Sequence, residues 1–178
     1  PFAVEQALGA NDLDPSVAIS GDTVVIVWAR DDSFNEDADY NLTTRVATLD
    51  RLTGTPLTPT RALNITVADE VRTPSEARAQ TVSEPSRGKM WMPSIHTLPS
   101  GGFIVTGSWG DPARNTFRVY LQHLDDMGRE IGSAWLADPE GENQNYSEVS
   151  VSGYGVIDLI WAGDDADGES GSWGRSWR

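Results

Sequence analysis

Pro15-Ser-Val-Ala-Ile-Ser-Gly-Asp-Thr-Val-Val-Ile-Val-Trp28 reads as two strands joined by a turn. Val17 and Ile19 alternate with smaller or polar neighbours, Gly21-Asp22 breaks the run, and an apolar stretch follows. The near-continuous run Val24 to Trp28 suits a strand buried on both faces rather than one wetted on one side.

The same pattern returns twice. Pro93-Ser-Ile-His-Thr-Leu-Pro-Ser-Gly-Gly-Phe-Ile-Val-Thr-Gly-Ser-Trp109 and Tyr146-Ser-Glu-Val-Ser-Val-Ser-Gly-Tyr-Gly-Val-Ile-Asp-Leu-Ile-Trp161 each hold a short strand, a Gly turn and a Val/Ile-rich strand ending in Trp. A polar loop follows each Trp. A third strand is expected at Thr44 to Asp50, Val119 to Asp125 and Ser172 to Arg178. Turns with Gly54 and Gly128 lead to fourth strands near Pro56 to Leu63 and Ile131 to Ala137. Four short antiparallel strands per unit describe a propeller blade. The fold class read here is all-β, a β-propeller-like array of about three four-stranded antiparallel blades, with a β-sandwich as the alternative. Trp28, Trp109 and Trp161 are expected at equivalent places in repeated sheets.

The whole chain reads as one repeat domain, with units at about 1–63, 92–138 and 143–178 and an insertion at about 64–91. Within the insertion, Pro74 to Gln80 suits one or two helical turns. Phe2-Ala-Val-Glu resembles Trp135-Leu-Ala-Asp, so an N-terminal strand completing the last blade is one expectation. Three blades are fewer than the usual 4–8, which points to a homo-oligomer closing a ring or to a longer parent chain.

Composition narrows the partners. Thirteen basic residues against 27 acidic ones give a net charge of -14, the wrong sign for a phosphate backbone. No run approaches the ~18 apolar residues of a membrane span. With no Cys, disulfides and thiolate metal sites are excluded.

The repeat resembles the propeller-like repeats of large secreted bacterial proteins of calcium-binding or adhesin type. The matching residues are Pro15 to Ala18, Gly101 to Val105, Trp28, Trp109, Trp161, the loop Asp164 to Ser172 and the turn Asp125-Asp-Met-Gly128. Tyr146 in place of Pro, and Asp22-Thr23 in place of Gly-Gly, depart from it. The resemblance implies export to the medium or cell surface and a binding or adhesive role, and it brings no catalytic residues.

Two groups of residues are candidates for that role. Asp164, Asp165, Asp167 and Glu169 alternate carboxylates around Gly168, the oxygen-rich pattern a calcium ion takes. A solvated acidic turn is the plainer reading of the same residues. Trp173, Arg175 and Trp177 share one side of their strand and would offer a sugar-stacking platform or a face of the core. Trp91, beside the insertion, is a further ligand candidate. No Gly-x-Ser-x-Gly elbow, His-Glu-x-x-His or phosphate loop occurs, and the best approach to an Asp box, Ser20-Gly-Asp-Thr-Val24, lacks its Gly.

The resulting expectation is an extracellular, non-catalytic module that binds a glycan or protein partner, stabilised by calcium. A purely structural repeat segment of a larger surface assembly is the first alternative. A fragment of a sialidase-like propeller glycosidase is the second.

Overall fold

In the computed structural model, residues 11–31, 42–65, 90–111, 116–137, 142–164 and 170–177 are described. They form three antiparallel sheets, each a simple meander. The first sheet runs β1 (Asn11–Ser20), β2 (Thr23–Asp31), β3 (Leu42–Asp50) and β4 (Arg61–Ala62). In the second, β5 (Met90–Thr97), β6 (Phe103–Asp111), β7 (Thr116–Leu124) and β8 (Glu130–Leu136) follow the same order. β9 (Glu142–Val151), β10 (Ile157–Asp164) and β11 (Ser170–Trp177) make the third.

The turn chemistry explains the repetition. Between β5 and β6, Gly102 adopts φ +75°, and a Cβ there would sit 2.4 Å from the Leu124 carbonyl oxygen, so no other residue fits. Between the third and fourth strands an Asp closes the turn in both four-stranded sheets. Asp50 Oδ1 accepts from the backbone N–H groups of Leu52 and Thr53, and Asp125 Oδ1 from those of Met127 and Arg129. β4 is only two residues long, shorter than the Pro56 to Leu63 strand expected, because Pro56 and Pro59 have no N–H for the ladder. Residues 66–89, most of the expected insertion with its helical turns, lie outside the described residues, as do residues 1–10.

The second sheet is packed on both faces. Its Phe103 and Val105 join Val25, Val27 and Val46 of the first sheet in one core cluster. Its Ile104, Val119 and Leu121 join Val149, Leu159 and Trp161 of the third in another. β6 is therefore buried continuously from Phe103 to Ser108, each large apolar side chain contributing about 1.5–3 kcal/mol. Val25 and Ile104, opposite Ala18 and His96, occupy matching positions, so the first two sheets present the same side to the sheet that follows.

The third sheet has three described strands, and the N-terminal strand expected to complete it lies outside the described residues. One side of β10 is open, with Ile160 61% exposed.

Trp28 and Trp161 are equivalent: each sits opposite an irregularity in the neighbouring first strand. Trp109 is not. The matching place in β6 is Gly107, paired with Tyr120, and a Cβ on Gly107 would meet the Tyr120 hydroxyl at 2.8 Å. In this sheet the aromatic ring is supplied from β7, and Trp109 lies two residues further along.

Candidate functional site

The first strands of the three sheets, β1, β5 and β9, lie side by side. Side chains tie them together. Ser16 Oγ accepts from Ile95 N–H at 3.2 Å, and Thr97 Oγ1 donates to the Ile19 carbonyl at 2.7 Å. On the other side, Ser94 Oγ donates to Glu148 Oε1 at 3.0 Å, and Thr106 Oγ1 of the adjacent β6 shares a hydrogen bond of 3.2 Å with Ser147 Oγ.

Each first strand carries a bulge at the same height. The register breaks between Leu13 and Ser16, between Trp91 and Ser94, and in β9 opposite Ile160 to Ala162. At each break one non-glycine residue is left-handed: Asp14 at φ 51°, Met92 at 49° and Tyr146 at 53°. Asp tolerates this conformation better than Met or Tyr. Such backbone costs about 1–3 kcal/mol and persists where its surroundings dictate it. Threefold recurrence makes the bulge a built element, and bulges re-aim side chains beside sites.

The three bulges converge on one cavity of about 330 Å³, lined by residues 14–16, 92–94 and 146–148. Its polar groups are the carboxylates of Asp14 and Glu148, the Tyr146 phenol and the hydroxyls of Ser16, Ser94 and Ser147. Its apolar wall is Met92 with Pro15 and Pro93. Tyr146 is 65% exposed, whereas Ser94, which orients Glu148, is buried. A second cavity of about 150 Å³ adjoins it through Met92 and Tyr146 and is completed by Ser108, Phe117 and Asn145. Carboxylates, hydroxyls and a small apolar surface suit a polyhydroxylated ligand.

The residues singled out from sequence lie elsewhere or beyond description. Trp173, Arg175 and Trp177 do share one side of β11, paired with Trp161, Leu159 and Ile157. Both Trp rings pack against the core between the second and third sheets. Trp173 Nε1 donates to the Gly163 carbonyl at 3.2 Å, and Arg175 Nη1 to the Ala137 carbonyl at 2.9 Å. The Arg175 guanidinium lies 5.7 Å from the Trp177 ring centroid. None of the three lines either cavity.

Trp91 pairs with Ser108 immediately before the β5 bulge. Asp164 ends β10, while Asp165, Asp167 and Glu169 lie outside the described residues. Among the described residues no group of three or more His, Asp or Glu side chains is placed to hold a metal.

Asp14, Ser94, Glu148 and Ser108 were not singled out by the sequence reading. A signal for Glu148 existed. In the structure Ser147, not Tyr146, matches Pro15 and Pro93, and Glu148 stands where the other units have Ser16 and Ser94.

No protein-family model matches the chain, and no curated protein sequence matches it. Solved structures do. The Hadza microbial sialidase Hz136 aligns with a TM-score of 0.59 at 12% identity, over 94% of this chain and 35% of its own. The GH43_1 enzyme from Xanthomonas citri complexed with xylose aligns at 0.49 and 14% identity, over 89% of this chain and 41% of its own. The endo-arabinase from Bacteroides thetaiotaomicron aligns at 0.48 and 14% identity, over 91% of this chain and 55% of its own. The chain thus spans about a third of the length of the sialidase whose fold it shares.

These likenesses correct the expectation of a non-catalytic binding or adhesion module and of a chain that is not an enzyme. The solved structure whose fold the chain shares, at a TM-score of 0.59, is a sialidase. Matching bulges bring residues from all three sheets to one cavity.

Proposed function

We propose that the chain supplies three consecutive blades of a glycosidase β-propeller, with the cavity at the β1, β5 and β9 bulges as its glycan-binding and hydrolytic site. The single observation that carries this reading is the convergence of Asp14, Tyr146 and Glu148 on one cavity of about 330 Å³. The sialidase likeness supports the propeller arrangement, as does the adjacency of the three first strands.

Glycoside hydrolysis uses two carboxyl groups flanking the scissile bond. One protonates the leaving oxygen, and the other activates water or attacks the anomeric carbon. Asp14 and Glu148 are the pair assigned to this work. Ser94 holds Glu148 in place through its hydrogen bond. Tyr146 offers an exposed ring to a sugar face. Export belongs to the same reading, as in the secreted repeats the sequence resembles, because polymeric glycans are met outside the membrane.

The test is a panel of 4-nitrophenyl glycosides, assayed with the wild-type chain and with Asp14→Asn and Glu148→Gln. Turnover that falls by about 10²- to 10⁴-fold in both variants, with the fold intact, supports the assignment. Turnover unchanged in either variant would remove that residue from it, and no turnover on any member would overturn the hydrolytic reading.

A further inference from the structure

The smaller cavity holds an unused hydrogen-bonding group. Ser108 is only 1% exposed, and its hydroxyl has no hydrogen-bond partner among the described residues. A buried, unpaired hydroxyl costs about 1–3 kcal/mol, so its presence asks for a reason.

The repeat does not supply one. Ser108 pairs with Trp91 just before the β5 bulge; the corresponding residues are Ala29, opposite Leu13, and Ala162, opposite Asn145. Two of three sheets build the same junction with a methyl group. The hydroxyl is therefore an addition to the scaffold, and it lines the cavity of about 150 Å³ together with Asn145, Phe117 and the two residues shared with the main site.

We infer that this cavity is a subsite for an uncharged, hydroxyl-bearing group of the glycan and that Ser108 is the residue that selects it; the inference rests on the glycosidase reading. A sugar hydroxyl both donates and accepts, as Ser108 Oγ does. A carboxylate is disfavoured. Among the described residues no Lys, Arg or His lines either cavity, so an anionic sugar would lose its hydration without a cationic partner there. It would also meet Asp14 and Glu148 in the adjoining cavity, on a chain of net charge -14. The substrate class is accordingly a neutral glycan.

The experiment is calorimetric titration of the chain and of Ser108→Ala with lactose, 3′-sialyllactose, xylotriose and trigalacturonate. The expected result is binding of a neutral sugar, with its acidic counterpart at least about tenfold weaker. Ser108→Ala then weakens the neutral sugar by about 10- to 100-fold, with the thermal midpoint preserved because Ala already serves this position in the other sheets. Equal or tighter binding of the acidic sugars would overturn the inference while leaving a glycan site standing. An unchanged affinity in Ser108→Ala would remove Ser108 from it. Failure of all four sugars to bind would overturn the glycosidase reading as well.

Discussion

Ser94 on the second sheet donates a 3.0 Å hydrogen bond to Glu148 on the third, linking two first strands at the edge of the main cavity. Ser16, one sheet earlier, occupies the same place in the repeat and reaches across to Ile95. The third unit replaces this serine with Glu148, which both accepts the bond that fastens the strands and lines the cavity.

If Ser94 orients Glu148, removing its hydroxyl loosens the carboxylate without taking it away. Ser94→Ala is expected to lower kcat roughly tenfold, well short of the Glu148→Gln loss, with KM little changed. Steady-state kinetics on a 4-nitrophenyl glycoside checks this. An effect confined to KM would assign Ser94 to substrate contact.

Gly107 is a packing position. A Cβ there meets the Tyr120 hydroxyl at 2.8 Å and its ring carbons at 3.1 Å, and Tyr120 is fully buried. Gly107→Ala is expected to cost about 1–3 kcal/mol, measured by chemical denaturation. Tyr120→Phe, which removes the shortest of these contacts, should recover part of that loss in the double variant.

The two sides of β10 respond differently to truncation. Leu159 is 1% exposed and sits in the core between the second and third sheets, whereas Ile160 is 61% exposed. Leu159→Ala is expected to cost about 2–5 kcal/mol and Ile160→Ala about 0.5 kcal/mol or less. Equal losses in thermal and denaturant unfolding would mean that the open side is covered in solution.

Stability should fall at both ends of the pH scale, for identifiable reasons. The Arg30 guanidinium, bonded to Asp12 at 2.7 Å and 2.9 Å, holds its carboxyl below the usual value of 3.8; partial burial opposes this and the Trp28 indole assists it. The stabilisation is present above the unfolded value and is lost as pH falls through the lower folded one. Burial pushes the Tyr120 phenol up to about 12, with the Thr44 hydroxyl pulling the other way. Its contribution is complete below pH 10, the ordinary value, and declines as pH rises through the folded one. Asp12→Asn should flatten the acid limb, and Tyr120→Phe the alkaline one, in thermal midpoints recorded against pH.

How much of this was legible varies by element. Periodicity and turn residues placed the three central strands, because alternation and Val/Ile runs are set by burial on a pleated surface. The Asp-x-x-Gly turn at Asp125 to Gly128 was equally readable, since its hydrogen bonds are local. Trp109 shares its residue type with Trp28 and Trp161 but not their position. Equivalence follows the bulge, and the bulge puts Gly107 beside Tyr120. Trp173, Arg175 and Trp177 were correctly placed on one side of a strand, but sequence carries no information about which neighbour that side meets. Here the two Trp rings pack against the core.

The sequence by itself determined the class of fold, the repetition of the strand pairs and the acidic balance, all consequences of local propensity, period and charge. Tertiary structure alone decided where chemistry gathers. Asp14 and Glu148 are separated by 133 intervening residues yet line one cavity, because bulges in three adjacent first strands turn the backbone at the same height. That convergence arises from sheet packing between distant segments, and no local pattern encodes it.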